Sequence, residues 1–369
     1  MVNPDRRGMS DPDARALAAL VETATIVGLG TSTREAHETF RLVEQTTHAL
    51  IQHGFRVVAL HDNERVCDRY DRFVRGGDVD LDAALRQAWG PWRTTEMRDA
   101  VHRIRRHNAH HPGDPVRVVG IAGSRTLPAD YDRVLALLAP LDQPTATRVG
   151  ELFAVIRTAH DSGEHVQRLH GTHPGVPYVE LARTARDLAT RLDGGPGHDD
   201  AVRLMDGIVD FHANAIGVGY DAEREERAAA ERLLDHQRRT GARIVLWESS
   251  PRVAAHGHVM TGAHLRAALG DRYAAAHITF GRGRIPGTEI PDPDPTSLEA
   301  RLLHGDAVRI VDPHSLANDS DQPWRTRVIS GLYQADRDAE HYYELPSLAG
   351  SFDAVAVIPT VTAISPLPD

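Results

Sequence analysis

The chain contains no lysine: all 42 of its positive side chains are arginine. That removes Schiff-base catalysis, a pyridoxal phosphate lysine and a P-loop lysine in one step. Cysteine is nearly absent as well, and the single Cys67 has no partner for an internal disulfide. No apolar run approaches the ~18 residues of a membrane span, so no membrane partner is expected. The stretch from Met1 to Ala14 mixes charges and prolines without an apolar centre, so no secretory signal is expected and the expected compartment is the cytoplasm. Positive charge is also in short supply, 42 residues against 52 acidic ones, with no basic stripe to track phosphates. Nucleic acid is therefore not an expected partner.

What the chain does have is length and texture. Its 369 residues give room for a core that needs no covalent staples. Three β-branched apolar runs, 25–30, 56–60 and 116–122, alternate with segments of helical period such as 35–53 and 95–108. Alternation of this kind predicts a buried parallel sheet. From residue 128 to 239 the chain turns to Ala, Leu, Arg and acidic residues at helical spacing, broken at 142–144, 173–175 and 194–197. Strands resume at 243–247, 273–279 and 352–358.

The expected fold is α/β, with a mostly parallel central sheet flanked by helices and a long helical insertion near the sheet's carboxyl edge. The expected division is a flexible N-terminus (1–20), a first α/β part (21–127), a helical insertion or cap (128–240) and a second α/β part (241–369) completing the same domain.

In such sheets ligands bind beyond the carboxyl ends of the strands. Those ends carry Thr31, Ser32, Thr33 and Arg34, then His61 and Asp62, then Glu248, Ser249 and Ser250. Gly28-Leu29-Gly30 has too few glycines for a dinucleotide fingerprint, so no cofactor is expected and these read as structural glycines. With 22 histidines in the chain, one histidine is weak evidence by itself. His256, His258 and the group His102, His107, His110 and His111 lack Cys or carboxylate companions at ligand spacing, so no metal is expected and they read as solvated. His165, His170 and His173 read as part of the insertion. There is no Gly-x-Ser-x-Gly elbow, and Cys67 lacks an activating pattern, which disfavours both nucleophiles.

Trp89-Gly90-Pro91-Trp92-Arg93-Thr94-Thr95-Glu96, after Arg75-Gly76-Gly77, resembles a stretch of the erythromycin esterases. The helix from Arg224 to Leu234, the strand ending at Trp247, Met260 to Arg266, Ile278 to Gly283 and Phe352 to Pro359 match in the same order and spacing. The resemblance runs from Ile26 to Pro359. Where those esterases carry a Glu and a water-activating His after the first strand, this sequence has Thr31 and Arg34. Where the second strand ends in Glu, it has His61, or Asp62 in the next register. Their Trp-x-His-Asn-x-His motif reads Trp247-Glu248-Ser249-Ser250-Pro251-Arg252, an arginine position falls at Val43, an aspartate position at Ala122, and only Glu38 is retained.

A guanidinium is no base at neutral pH, so Arg34 cannot take over water activation. The replacements are nonetheless a set of acids, bases and donors. His61, His37, Glu38 and Glu248 are the expected catalytic groups, and Arg34, Thr31, Asp62, Trp92, Arg93, Ser249 and Arg252 the expected substrate contacts. The resemblance, with these departures, implies an enzyme repurposed for a polyketide- or lactone-like secondary metabolite, using non-hydrolytic acid/base chemistry such as cyclisation, dehydration or isomerisation. An ester or lactone hydrolase with a relocated His base and an inactive small-molecule binder are the alternatives. The expected partner is a small molecule, bound by a monomer or homodimer.

Overall fold

The structure, a computed structural model, describes residues 11–123, 125–169, 171, 175–215, 221–316, 323–329 and 333–368. Ten strands occur among them: β1 (Ile26–Thr31), β2 (Phe55–Leu60), β3 (Arg117–Gly120), β4 (Arg243–Ser249), β5 (Tyr273–Ile285), β6 (Thr288–Ile290), β7 (Arg309–Val311), β8 (Trp324–Arg327), β9 (Tyr342–Leu345) and β10 (Ala354–Val361). The main sheet runs β3-β2-β4-β1-β5-β10-β7, with β6 paired to the far end of β5. The six strands from β3 to β10 are parallel, and β6 and β7 are antiparallel additions. A separate two-stranded ribbon pairs β8 with β9.

The parallel strands match the six apolar runs of the sequence, and the sheet is mostly parallel with helices on both faces. Four short strands, β6 to β9, went unpredicted because three or four residues of mixed polarity carry no readable period. β5 also runs on to Ile285, past the predicted end.

The chain forms two compact units. One comprises the chain up to Leu85, Arg93–Ala122 and everything from Glu223 onward; it holds the sheet. Helix His37–Gln52 covers the face that carries Trp247, whose indole Nε1–H donates to Thr47 Oγ1 at 2.7 Å and whose ring meets Phe40 edge-on. On the other face Ala229, Ala230 and Leu233 of helix Ala222–Thr240 join Val253 and Leu265 against Ile26, Ile244, Leu246 and Tyr273. Parallel register sets three rows on this second face: Ile26, Ile244 and Tyr273; Gly28, Leu246 and Ala275; Gly30, Glu248 and His277.

Gly28 and Gly30 are mid-strand residues whose missing side chains leave room for the short helix Ser250–Val253. A Cβ on Gly30 would lie 2.7 Å from Ser250 Cα, and one on Gly28 would lie 2.6 Å from the Tyr273 hydroxyl. Close approach, not turn geometry, is what requires glycine there.

The second unit, Arg86–Trp92 and Gly123–Ala222, is helical. Its helices Pro128–Leu138, Gln143–Ile156, Tyr178–Thr190 and His198–Asp210 bury Tyr131, Phe153, Tyr178, Met205 and Ile208 in a core of their own. Local chemistry starts one of them: Asp142 accepts from the Thr145 N–H at 2.8 Å, with Pro144 in the first turn. No helix of the described residues is long and apolar enough to cross a membrane.

Candidate functional site

β1 and β4 are neighbours, yet the helix after β1 lies on one face and the helices after β4 on the other. Adjacent strands whose connections leave in opposite directions open a crevice at their carboxyl ends. Arg34 follows β1, Glu248 to Arg252 form the exit of β4, and His61 follows β2 on the far side of β4.

These residues meet. Arg34 Nη2 donates to Glu248 Oε1 in a close ion pair, and the Ser249 N–H donates to the same oxygen at 2.7 Å. The other oxygen, Oε2, stands 2.7 Å from His61 Nδ1, an ion-pair distance, but no donor is aligned on it as a hydrogen bond. Arg252 places Nη1 at 3.0 and 2.9 Å from the two His61 ring nitrogens and 3.7 Å from Glu248 Oε2. Its Nε pairs with Glu226 Oε1 at 3.0 Å. Glu226 Oε2 in turn accepts from the Thr261 hydroxyl at 2.7 Å and its N–H at 3.2 Å.

The cluster is sealed unevenly. The side chains of Glu248 and Glu226 are 1% exposed, while those of Arg34, His61 and Arg252 keep 15%, 16% and 28%. Its floor is thus acidic and its open side carries the cations and the imidazole. Burial, with the like charge of Arg252 and against the pull of Glu226, lowers the Arg34 guanidinium to about 9. That still leaves it a cation at neutral pH.

Two arginines balance two carboxylates, so this is not the anion-binding pair that arginines alone suggest. The sequence missed Glu226. Its one signal was membership in the Arg224 to Leu234 helix, and the pairing with Arg252 spans a turn and a helix.

The other expected residues lie in various places. His37 and Glu38 hold the C-terminal segment: His37 Nδ1 is 2.8 Å from Glu96 Oε1, and Glu38 accepts from the Thr362 N–H and hydroxyl at 2.6 and 2.8 Å. Glu96 also accepts from the Ser365 N–H at 3.1 Å. Thr31 and Asp62 are buried, Asp62 accepting from the Asn63 N–H at 2.7 Å. The Arg93 carbonyl accepts from the Leu367 N–H at 3.0 Å. Trp92, buried, belongs to the helical unit, as does the exposed Trp89.

Cys67 is buried in helix Glu64–Val74, where burial and the neighbouring carboxylates push its thiol well up. His107 and His111 stack on each other, and His102 meets Phe73 edge-on. His170 and His173 lie outside the described residues, as does the His165 side chain.

The clasp at His37 is pH-sensitive in a definite direction. The hydrogen bond to Glu96 raises the His37 imidazole, against burial. Burial works to raise the Glu96 carboxyl, but the bonds from His37 and Ser365 outweigh it and hold it low. A raised imidazole stabilises the fold below its unfolded value, near pH 6.5, and that contribution fades as pH rises through the folded value. A lowered carboxyl stabilises above about pH 4.5, and its contribution fades as pH falls through the folded value. The stability gap between the parent and His37→Ala should therefore be widest between about pH 4.5 and 6.5 and shrink on both sides. Urea titrations across pH check this, and a gap that widens above pH 8 would contradict it.

The family model for erythromycin esterase matches residues 51–361. The chain belongs to the erythromycin esterase family. Solved structures agree on the fold: a protein from Bacillus cereus is similar at 18% identity and TM-score 0.66, over 98% of this chain and 94% of that one. A succinoglycan biosynthesis protein matches at 15% and 0.63, over 98% and 93%. A mutant of the erythromycin esterase EreC in its open conformation matches at 15% and 0.59, over 98% and 97%. At such identities these likenesses concern fold alone.

Proposed function

We propose that this erythromycin esterase family member is an enzyme that moves protons on a small lactone- or polyketide-like molecule, in cyclisation, dehydration or isomerisation, without adding water to an ester. One observation carries the reading. Glu248 is a buried carboxylate with one oxygen occupied by Arg34 and the Ser249 N–H, and the other accepting no hydrogen bond beside His61.

A carboxylate held this way is a fixed proton acceptor, and His61 and the guanidinium N–H groups are the donors that return a proton or polarise a carbonyl. The residue at the esterases' water-activating position is a guanidinium that is a cation at neutral pH, which argues against hydrolysis. Balanced charge suits a neutral, oxygen-rich substrate better than a polyanion.

Incubation of the pure protein with erythromycin, other macrolides and simple lactones, followed by mass spectrometry, is the test. The expected result is unopened erythromycin and, for an accepted compound, a product of equal mass or lighter by one water. Rapid gain of one water by erythromycin would overturn the reading in favour of a relocated hydrolytic base. Compounds that raise the melting temperature and emerge unchanged would overturn it in favour of a binder.

A further inference from the structure

A second polar chain lies on the other side of Gly30 and is buried throughout. Ser250, the first residue after β4, approaches His277 Nδ1 with its hydroxyl at 2.6 Å. His277 Nε2 is 2.7 Å from Thr326 Oγ1 on β8, and Thr326 donates to Glu299 Oε1 at 2.6 Å. The Thr279 hydroxyl and the Arg327 N–H reach the same Glu299 oxygen at 2.7 and 3.1 Å. Ser250, His277, Thr279, Thr326 and Glu299 are all 0% exposed.

Proton counting gives the chain a direction. Glu299 Oε1 faces three donors, so it accepts from all of them; a proton on this carboxyl would sit on Oε2, which has no partner. Thr326 has one hydroxyl proton and gives it to Glu299, so toward His277 it must accept. His277 therefore carries its proton on Nε2, leaves Nδ1 bare, and takes the Ser250 hydroxyl proton in a hydrogen bond. Burial lowers the imidazole to about 3, consistent with a neutral ring, and Phe352 stacked at 4.8 Å fixes its plane.

This direction matters because of what Ser250 starts. It opens the four-residue helix that ends one residue beyond Arg252, it lies two residues after Glu248, and its backbone presses on Gly30 between Glu248 and His277. We propose that His277 is a positioning residue for the site, fixing through the Ser250 hydroxyl the turn that presents Glu248 and Arg252 to His61. The proposal rests on the reading of that cluster as the working site and deepens it by naming what holds it in shape.

The test uses the whole protein with nitrogen-15-labelled histidine and long-range proton–nitrogen correlation spectra, and needs no turnover. In the parent, His277 should show a bare Nδ1 and a protonated Nε2. Thr326→Val keeps the shape but removes the acceptor; that pattern should be lost and the His61 ring resonances should shift. Thr326→Ser, which restores a hydroxyl, should restore both signatures. Should Thr326→Val fail to fold, Ser250→Ala serves in its place, with His277 unchanged in tautomer and His61 shifted.

A parent His277 protonated on Nδ1 would overturn the proposal, as would a variant that alters the relay and leaves His61 untouched. Failure of the lactone experiment with these spectra as expected would sink the reaction and leave the positioning role standing.

Discussion

Glu248→Ala should lower the free energy of unfolding by about 3–5 kcal/mol, the range for removing one partner from a buried ion pair. The cost comes from what the truncation leaves behind. Arg34, 15% exposed, loses its close carboxylate, and the Ser249 N–H loses the oxygen it donates to. Arg252 keeps Glu226, so half of the charge balance survives and the loss should stop short of unfolding the domain.

Glu248→Gln separates stability from chemistry. The amide keeps the shape and one acceptor oxygen, so the loss should be about 1–3 kcal/mol, the cost of weakening hydrogen bonds to charged groups. It has no proton-accepting charge, so turnover of an accepted lactone should fall as far as in the alanine variant. Urea denaturation of the three proteins gives the energies. A loss under ~0.5 kcal/mol for the alanine variant, the level of an ordinary surface change, would mean the pair is not sealed from water.

How far the sequence reached this site depends on distance along the chain. The parallel strands were legible because each is a buried run with no competing period, and burial of β1 over all six residues is what its apolar run demanded. The strand ends were legible too, so Arg34, His61, Glu248 and Arg252 could be placed in one crevice from the order of the strands. Their pairing was not legible. Whether two arginines face an empty pocket or two carboxylates depends on Glu226, which reaches Arg252 from a different helix.

The relay was hidden for the opposite reason. His277 stands in the apolar run Tyr273 to Phe280, where a lone polar residue at an inward position marks a buried hydrogen-bond requirement. The rule flags the need but not the supplier. Ser250, Thr326 and Glu299 lie 27, 49 and 22 positions away in separate elements, two of them beyond any strand the sequence announced. His37 and Glu38 show the converse: local sequence placed them beside the first strand's end, and Glu96 then claimed the His37 ring while Thr362 of the C-terminal segment claimed the Glu38 carboxylate.

The sharpest separation of catalysis from binding comes from two substitutions on the open side of the crevice. On the first lactone that turns over, His61→Ala should depress turnover by about 10²–10⁴, the usual contribution of a positioned acid or base, with affinity little changed. Arg34→Ala should act on both quantities. Its charge-assisted hydrogen bonds are worth about 1.5–3 kcal/mol each, so affinity should fall by about tenfold or more. Turnover should fall with it, because Glu248, at 1% exposure, would lose the close guanidinium that fixes one of its oxygens and keep only the Ser249 N–H there. An inert binder would lose affinity with Arg34→Ala and have no turnover for His61→Ala to depress. A hydrolase with His61 as base would lose water addition specifically in His61→Ala. Unchanged affinity and turnover in both variants would place the chemistry elsewhere than the crevice between β1 and β4, and would leave the charge-balanced cluster with a structural role alone.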